Sequence, residues 1–291
     1  MSTKWRRLFL VIAFVVLIAF GIRIFFKRHS RTDDRPTAKR IVIAQVGDFF
    51  LYAPVYVALD AGFFKEQGLD VSIVTTGGDD KSWAAVITNS AQFGVGDPTF
   101  VVASSERGQP GPVVASIVNG VPFWGVTWRT DLKTVSSGAD LRNLRVATFP
   151  APSTAYVLQE KMFKDAGLPP KISQGAFGSL LTMLRTHQAD VALELEPNVS
   201  QAAADGARIV YSMKDLYGDF AITGLTTTPQ FIQDNPTVVS ATTCGLQKAL
   251  ELIHKDQNRA LELLRKRFPD IKPAVASAVI SVLSSGPTLA V

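Results

Sequence analysis

The sequence predicts an α/β fold with parallel sheets, and three observations support this prediction. Short β-type runs alternate with helical patterns from residue 41 to residue 227. A strand, a helix and a second strand follow one another within residues 41–74, which is the usual unit of a parallel sheet. With 291 residues, the chain can form one large or two medium domains, each with its own core.

The opening strand–helix–strand unit is marked by a local signal at each boundary. Residues 41–46 (IVIAQV) are a β-type run. Pro54 suits the first turn of a helix, because its missing N–H costs nothing there. Gly62 stands where that helix is expected to end. Residues 69–73 then alternate apolar and polar side chains, as a second strand should.

The alternation continues along the rest of the chain. The further expected strands are residues 93–96, 112–118, 124–128, 144–148, a short one beginning at 172, 190–195, 208–212 and 221–227. The further expected helices are residues 82–88, one beginning at 97, 153–166, 178–186, 237–256, 258–268 and 274–284.

Positive charge is concentrated at the N-terminus. Residues 1–40 contain ten Lys or Arg and two Asp, which gives this segment a net charge of +8. Because the whole chain has a net charge of +5, residues 41–291 have a net charge of −3. The folded part is therefore mildly acidic and has no basic stripe, and we expect no nucleic-acid partner.

An apolar segment within this basic region is typical of an export signal. Residues 8–22 are apolar, and the triplet at 19–21 (AFG) fits the small-x-small rule for cleavage by signal peptidase, which remains one alternative. The apolar run resumes beyond this triplet and reaches Phe26, about long enough to span a bilayer. We therefore expect an uncleaved signal-anchor, a transmembrane helix within residues 1–29, and then a tether over residues 30–40.

Residues 52–74, YAPVYVALDAGFFKEQGLDVSIV, closely resemble solute-binding proteins of the nitrate, sulfonate, taurine and thiamine-pyrimidine-precursor family, which feed ABC importers. The resemblance implies the type II periplasmic binding protein fold, in which two Rossmann-like lobes are joined by a two-segment hinge. Lobe one is then expected over residues 41–126 plus 226–291, and lobe two over residues 127–225.

The resemblance also implies a function, namely the extracytoplasmic solute-binding component of an ABC importer, which captures its solute by clamshell closure. The expected partners are a small-molecule solute and an ABC permease. We expect a monomer at the cell inner (cytoplasmic) membrane, held by its N-terminal helix, with the binding domain in the periplasm. An enzyme of the same fold acting on a small heterocycle and a membrane-tethered ligand sensor remain alternatives.

The candidate site lies in loops at the carboxyl ends of the strands, where open α/β sheets bind ligands against helix N-termini. The candidate loops are residues 47–54, 77–83, 96–100, 119–124, 148–155, 174–179 and 194–198. They are rich in aromatic and acidic residues, and Lys81 is their only base. This composition favours a flat solute that is neutral or carries an amine. A sulfonate-type solute stays possible, because helix N–H groups alone can hold an anion.

Ten residues of these loops are the ligand-binding candidates. They are Asp48, Phe49, Tyr52, Gly78, Asp97, Thr99, Phe149, Ser153, Thr154 and Glu194. Phe49, Tyr52 and Phe149 are expected to stack on the solute. Asp48 and Glu194 are expected to supply polar selectivity.

Backbone N–H groups at Ser153 and Thr154 are expected to anchor the solute. Ordinary structural roles compete with several of these assignments. Asp97 followed by Pro98 is a good helix N-cap without any ligand, and residues 77–78 (GG) could form a plain turn.

Catalytic motifs are missing from the sequence. None of His29, His187 and His254 has a second His or a Cys at metal-ligand spacing, and Cys244 is the single cysteine. The chain also lacks a G-x-S-x-G elbow and an H-E-x-x-H motif. We therefore expect a binding protein with no catalytic residues, no metal site and no cofactor.

Overall fold

The computed structural model describes residues 38–120, 122–218 and 221–269, together with Ile271, Pro273, Ala276, Ser277 and Ile280. The predicted anchor over residues 1–29, most of the predicted tether and much of the predicted helix 274–284 lie outside the described residues. Among the described residues, no helix combines the length and the apolar character needed to cross a membrane.

The described residues form ten strands in two sheets of five. The strands are β1 (Lys39–Gln45), β2 (Leu69–Thr75), β3 (Phe93–Gly96), β4 (Val113–Asn119), β5 (Trp124–Thr127), β6 (Val146–Thr148), β7 (Ile172–Gln174), β8 (Val191–Glu194), β9 (Arg208–Ser212) and β10 (Ala221–Thr226). The strand order is β2-β1-β3-β10-β4 in the first sheet and β7-β6-β8-β5-β9 in the second.

Eleven described α-helices connect and cover these strands. They are α1 (Ala53–Asp60), α2 (Phe63–Glu66), α3 (Asp79–Ile87), α4 (Pro98–Ser105), α5 (Thr154–Asp165), α6 (Leu180–Arg185), α7 (Asn198–Ala204), α8 (Met213–Tyr217), α9 (Pro229–Asp234), α10 (Pro236–Lys255) and α11 (Gln257–Arg267). Single 3₁₀ turns occur at Phe50–Tyr52 and Gly138–Leu141. The predicted alternation of strands and helices is therefore confirmed.

Both sheets are mixed, which corrects the prediction of parallel sheets. β1 pairs in parallel with β2 and β3, and β6 pairs in parallel with β7 and β8. β10 is antiparallel to its neighbours in the first sheet, and β5 is antiparallel to its neighbours in the second. Each of these two strands follows a crossing from the other sheet. The chain leaves one sheet at the carboxyl ends of its parallel strands and enters the other sheet beside the carboxyl ends of that sheet's parallel strands. The entering strand therefore runs antiparallel to them.

The two crossings run side by side. Asn119 at the end of β4 pairs with Ala221 at the start of β10, and Trp124 at the start of β5 pairs with Ser212 at the end of β9. Sheet membership therefore puts β5 with the second sheet and β10 with the first. The division into lobes at residues 126 and 226 stays a prediction about domains.

Local chemistry explains where the helices of the first sheet begin and end. α1 carries Pro54 in its first turn, and Gly62 follows it with φ +82°, a left-handed conformation that glycine adopts without strain. The Thr228 hydroxyl caps α9 by accepting the N–H of Phe231 at 3.1 Å. The apolar face of α10, including Leu246 and Ile253, packs into the core of the first sheet.

β1 begins at Lys39, two residues earlier than predicted, because Lys39 and Arg40 pair with Leu69 and Asp70 of β2. The last residues of the predicted tether are therefore part of the strand. A second core lies on the second sheet, where Phe163, Leu193 and Met213 are fully buried.

Candidate functional site

A cavity of about 470 Å³ lies among loops of both sheets. Its lining comes mainly from the carboxyl ends of β1, β2 and β3 on one side and of β6, β7 and β8 on the other, the position expected for ligands of open α/β sheets. The lining residues are Val46, Phe49, Leu51, Tyr52, Gly77, Gly78, Asp79, Asp80, Asp97, Phe100, Pro122, Phe123, Phe149, Pro150, Ala151, Ser153, Ala155, Ala176, Phe177, Leu195, Ile222 and Thr223.

Aromatic rings form a continuous wall that joins the two sides. The Phe49 and Phe177 ring centroids are 4.2 Å apart, and Phe177 stacks on Phe149 at 6.3 Å with 22° between the planes. Phe149 contacts Phe123 at 6.3 Å, and Tyr52 meets Phe49 edge-on at 5.1 Å. Such a wall offers flat apolar faces to an aromatic or cationic solute.

Three carboxylates add negative charge to the lining, and no Lys, Arg or His is among the described residues that line the cavity. Asp79 stands in the first turn of α3, and its Oδ1 accepts the N–H of Asp97 at 2.7 Å. Burial, and then the charges of Asp97 and Asp80, raise the pKa of Asp79 to about 7. Near neutral pH this carboxyl can therefore donate a proton in a hydrogen bond or carry a charge.

The Tyr52 hydroxyl is a second polar group in the cavity lining. The residue is 4 % exposed, and its hydroxyl makes no hydrogen bond within the part of the chain that the structure describes. Burial, followed by the charge of Asp79, raises the pKa of Tyr52 well above its ordinary value, so the hydroxyl stays protonated. Tyr52 lines the cavity, and a hydroxyl without a protein partner there can donate to a polar solute.

One carboxylate connects the two sides of the cavity. Asp97 caps α4 by accepting the N–H and the hydroxyl of Thr99 on Oδ1 at 3.0 and 2.8 Å. It also accepts the N–H of Thr154, the first residue of α5, on Oδ2 at 2.7 Å, and the Thr154 hydroxyl on Oδ1 at 2.9 Å. Asp97 therefore serves the N-termini of two helices that belong to different sheets.

The ten predicted ligand-binding residues divide into three groups. Those that line the cavity are Phe49, Tyr52, Gly78, Asp97, Phe149 and Ser153. Thr99 and Thr154 do not line it but donate to Asp97. Asp48 and Glu194 lie apart from it and point to other partners. Ligand contact remains a prediction for each of them.

Asp48 is exposed and is not among the residues that line the cavity. Its Oδ1 accepts from the Gln45 side chain at 2.8 Å and lies 3.5 Å from Arg267 of α11. The guanidinium of Arg267 stacks over the Tyr56 ring at 4.5 Å, and the Tyr56 hydroxyl donates to Gln45 at 3.0 Å. This polar network gives Asp48 a structural role beside the cavity rather than in it.

Glu194 is fully buried and is not among the residues that line the cavity. Its carboxylate accepts the N–H of Leu195 at 3.0 Å and the side-chain amide of Asn198 at 3.2 Å. Burial is the main cause that raises the pKa of Glu194 to about 7. Its neighbour Leu195, an apolar residue, reaches the cavity instead.

Several lining residues were not selected from the sequence. Asp79, Asp80, Phe100, Phe123 and Phe177 belong to the predicted loops, and their aromatic and acidic character was the available signal. The rule that ligands bind at the carboxyl ends of strands did not select β10. This strand contributes Ile222 and Thr223 to the lining, because the second crossing brings the start of the strand to the cavity.

The described residues contain no group of three or more His, Cys, Asp or Glu side chains that could hold a metal ion. The chemistry available in the lining is therefore stacking, hydrogen bonding and charge.

Comparison with known proteins places this geometry among related folds. The family model described as NMT1/THI5 like matches residues 50–260. YtlA of Bacillus subtilis (strain 168), a candidate binding protein by its name, is 23% identical over 287 residues, covering 95% of this chain and 83% of YtlA.

Two solved structures are similar over most of their length. A protein from Bordetella bronchiseptica RB50 has a TM-score of 0.70 and 25% identity, covering 85% of this chain and 82% of that protein. The periplasmic aliphatic sulphonate binding protein SsuA of Escherichia coli has a TM-score of 0.71 and 15% identity, covering 86% of this chain and 84% of SsuA. At that identity the likeness to SsuA concerns the fold alone.

Proposed function

Because the chain belongs to the NMT1/THI5-like family, whose fold is that of periplasmic binding proteins, we propose that it captures a small flat solute, heterocyclic or amine-bearing, for an ABC importer. The substrate-binding role agrees with the family and with the solved structures that the chain resembles. The type of solute is inferred from the cavity.

The composition of the cavity lining is the observation that carries this proposal. Its aromatic wall is accompanied by Asp79, Asp80 and Asp97 and by no basic side chain among the described lining residues. Aromatic faces and carboxylates attract amines and the N–H groups of heterocycles. A sulfonate would meet three carboxylates without a balancing cation, so it is the less favoured solute.

Individual roles follow from position in the cavity. Phe49, Phe149 and Phe177 would hold the flat part of the solute by stacking, since their rings already form one wall. Asp79 would accept from an N–H group, or donate to a ring nitrogen when protonated, and Tyr52 would donate its free hydroxyl.

Capture would proceed by closure of the two sides on the solute. The lining comes from both sheets, and two crossings, from β4 to β5 and from β9 to β10, connect them. A solute bound between the sheets makes contacts on both sides only when they approach, so it favours the closed state by this difference in contacts. The closed form would then engage a membrane permease.

An extracytoplasmic location with an N-terminal membrane anchor and a monomeric state belong to the same proposal. The apolar residues 8–22 between basic residues support export. The chain would act by binding, without catalysis.

Thermal unfolding of the full-length chain in mild detergent tests the proposed solute class. Benzylamine, 4-(aminomethyl)pyridine and neutral aminopyrimidines are compared with benzenesulfonate and nitrate. A ligand that binds only the native state raises the melting temperature. At a concentration of about 100 times its Kd, it adds about 2.7 kcal/mol to the free energy of unfolding. We expect this rise from amines or heterocycles, and a variant Phe177→Ala should reduce it. A rise produced only by the sulfonate or nitrate would contradict the proposal.

A further inference from the structure

A single side chain, Asp97, accepts hydrogen bonds from the N-termini of two helices that belong to different sheets. Its carboxylate accepts four hydrogen bonds, two from Thr99 at the start of α4 and two from Thr154 at the start of α5. The two threonines are 55 residues apart in sequence and belong to different sheets. Capping α4 alone requires only the Thr99 contacts, so the bonds to Thr154 call for a separate explanation.

The N-terminus of α5 is the natural place for an anion in this cavity. Free N–H groups in the first turn of a helix, together with its dipole, attract negative charge. Here the Thr154 N–H and hydroxyl donate to Asp97, and the Tyr156 N–H donates to the Ser153 hydroxyl at 3.3 Å. An oxyanion entering the cavity would find these donors in use and, in this first turn, only the N–H of Ala155 without a partner among the described residues.

No cationic side chain among the described lining residues compensates for these occupied donors. The described lining contains no Lys, Arg or His, while Asp79 and Asp80 add further negative charge. An oxyanion at this position would therefore have to displace the Asp97 carboxylate from Thr154 and would remain close to it. A neutral or positively charged solute faces neither penalty.

We propose that Asp97 is a specificity-determining residue, whose carboxylate acts as a built-in anion at the N-terminus of α5 and excludes oxyanion solutes from the cavity. This inference rests on the proposed function, because it concerns the solute class that the same cavity accepts. It predicts that removing this carboxylate raises the affinity for oxyanions, because it frees the four donors of Thr99 and Thr154 for an external oxyanion.

Calorimetric titration of the full-length chain with sulfate and with methanesulfonate tests the proposal. The variants are Asp97→Ala, Asp97→Asn and the matched control Asp80→Ala. The control also removes a lining carboxylate, but the side chain of Asp80 makes no hydrogen bond within the described chain. We expect Asp97→Ala to bind both oxyanions at least about ten-fold more tightly than the wild type, a difference of about 1.4 kcal/mol. Asp80→Ala should change the affinity far less.

Asp97→Asn keeps the shape of the side chain and guards against loss of folding. Its amide oxygen can replace one carboxylate oxygen, but its NH₂ group cannot accept the Thr154 N–H. We expect an oxyanion affinity between those of the wild type and Asp97→Ala, with a circular dichroism spectrum and a melting curve that show a folded chain. If Asp97→Ala fails to fold, this variant decides the question.

Two outcomes would overturn the inference. One is unchanged oxyanion affinity in the folded Asp97 variants, which would leave Asp97 as a helix cap only. The other is an equal gain in Asp80→Ala, which would assign the effect to net charge. The proposed function fails separately, when neither amines nor heterocycles bind the wild-type chain.

Discussion

The carboxyl of Asp79 should make the stability of the protein fall as the pH rises. Its pKa is raised from the ordinary value of 3.8 to about 7, mainly by burial. Between these two values the folded state binds more protons than the unfolded state, so the free energy of unfolding decreases with rising pH. Below this range both states are protonated and the group has no effect. Above it the charged carboxylate destabilises the fold.

The size of the effect follows from the shift. At about 1.4 kcal/mol per pKa unit, a rise from 3.8 to about 7 corresponds to about 4 kcal/mol at alkaline pH. Water in the cavity screens part of this charge, so we expect about 2–4 kcal/mol. Asp79→Asn removes the charge and keeps an oxygen that can accept the Asp97 N–H. The variant should match the wild type near pH 4 and be more stable by this amount near pH 8.

Urea unfolding of both proteins across this pH range measures the difference. Asp140→Asn is a control of opposite sign, because backbone N–H groups of Ser136 and Ser137 lower the pKa of Asp140 by donating to it at 2.9 and 3.0 Å. That variant should lose stability at high pH and lose none at low pH. A stability gain for Asp79→Asn that is the same at pH 4 and pH 8 would refute the reasoning.

Three further outcomes follow from the same contacts. A cationic amine should bind more tightly as the pH rises through about 7, because Asp79 then carries its charge, and below that pH its binding should release a proton from Asp79. Calorimetry in two buffers of different ionisation heat measures this proton release. An affinity independent of pH would count against this role. Phe177→Ala should weaken amine binding about ten-fold by removing two ring contacts, while the exposed surface variant Val157→Ala should leave the affinity unchanged. Tyr211→Phe should cost about 1–3 kcal/mol in urea unfolding, because it leaves the buried Gln159 oxygen without the hydroxyl that donates to it at 2.7 Å; an unchanged midpoint would contradict this.

Elements with local signals could be predicted from the sequence. In the opening unit, Pro54 lies in the first turn of α1, and Gly62 and Gly68 adopt φ of +82° and +75° at the two turns. Each signal depends only on neighbouring residues, so the sequence contains all the information needed. The short helices α7, α8 and α9 were not predicted, because five to seven residues give only a weak helical period, whereas α6, with six residues, was predicted within a longer expected helix over residues 178–186.

The direction of β5 and β10 could not be predicted for a different reason. Their pairing joins residues far apart in the chain, such as Asn119 with Ala221. A strand pattern indicates which residues are extended, but it does not indicate which strand lies beside them or which way it runs. The resemblance supplied the idea of two crossings, and the pairing fixed where they lie.

The loops of the candidate site were predicted better than its individual residues. The rule that ligands bind at the carboxyl ends of strands selected most of the lining, including Phe49, Tyr52 and Phe149. Asp48 and Glu194 were expected in the cavity and point elsewhere. Their directions depend on partners, Arg267 for the former and the Asn198 amide for the latter, that the periodic pattern does not reveal.

A crystal structure of the chain with the amine or heterocycle that raises its melting temperature most is the most direct test of solute capture in this cavity. We expect the flat part of the solute against the wall formed by Phe49, Phe149 and Phe177, with an N–H group within hydrogen-bond distance of Asp79 or Asp80 and with Asp97 still bonded to α5. A solute bound outside the cavity, or an anionic group at the N-terminus of α5 with Asp97 displaced, would contradict it.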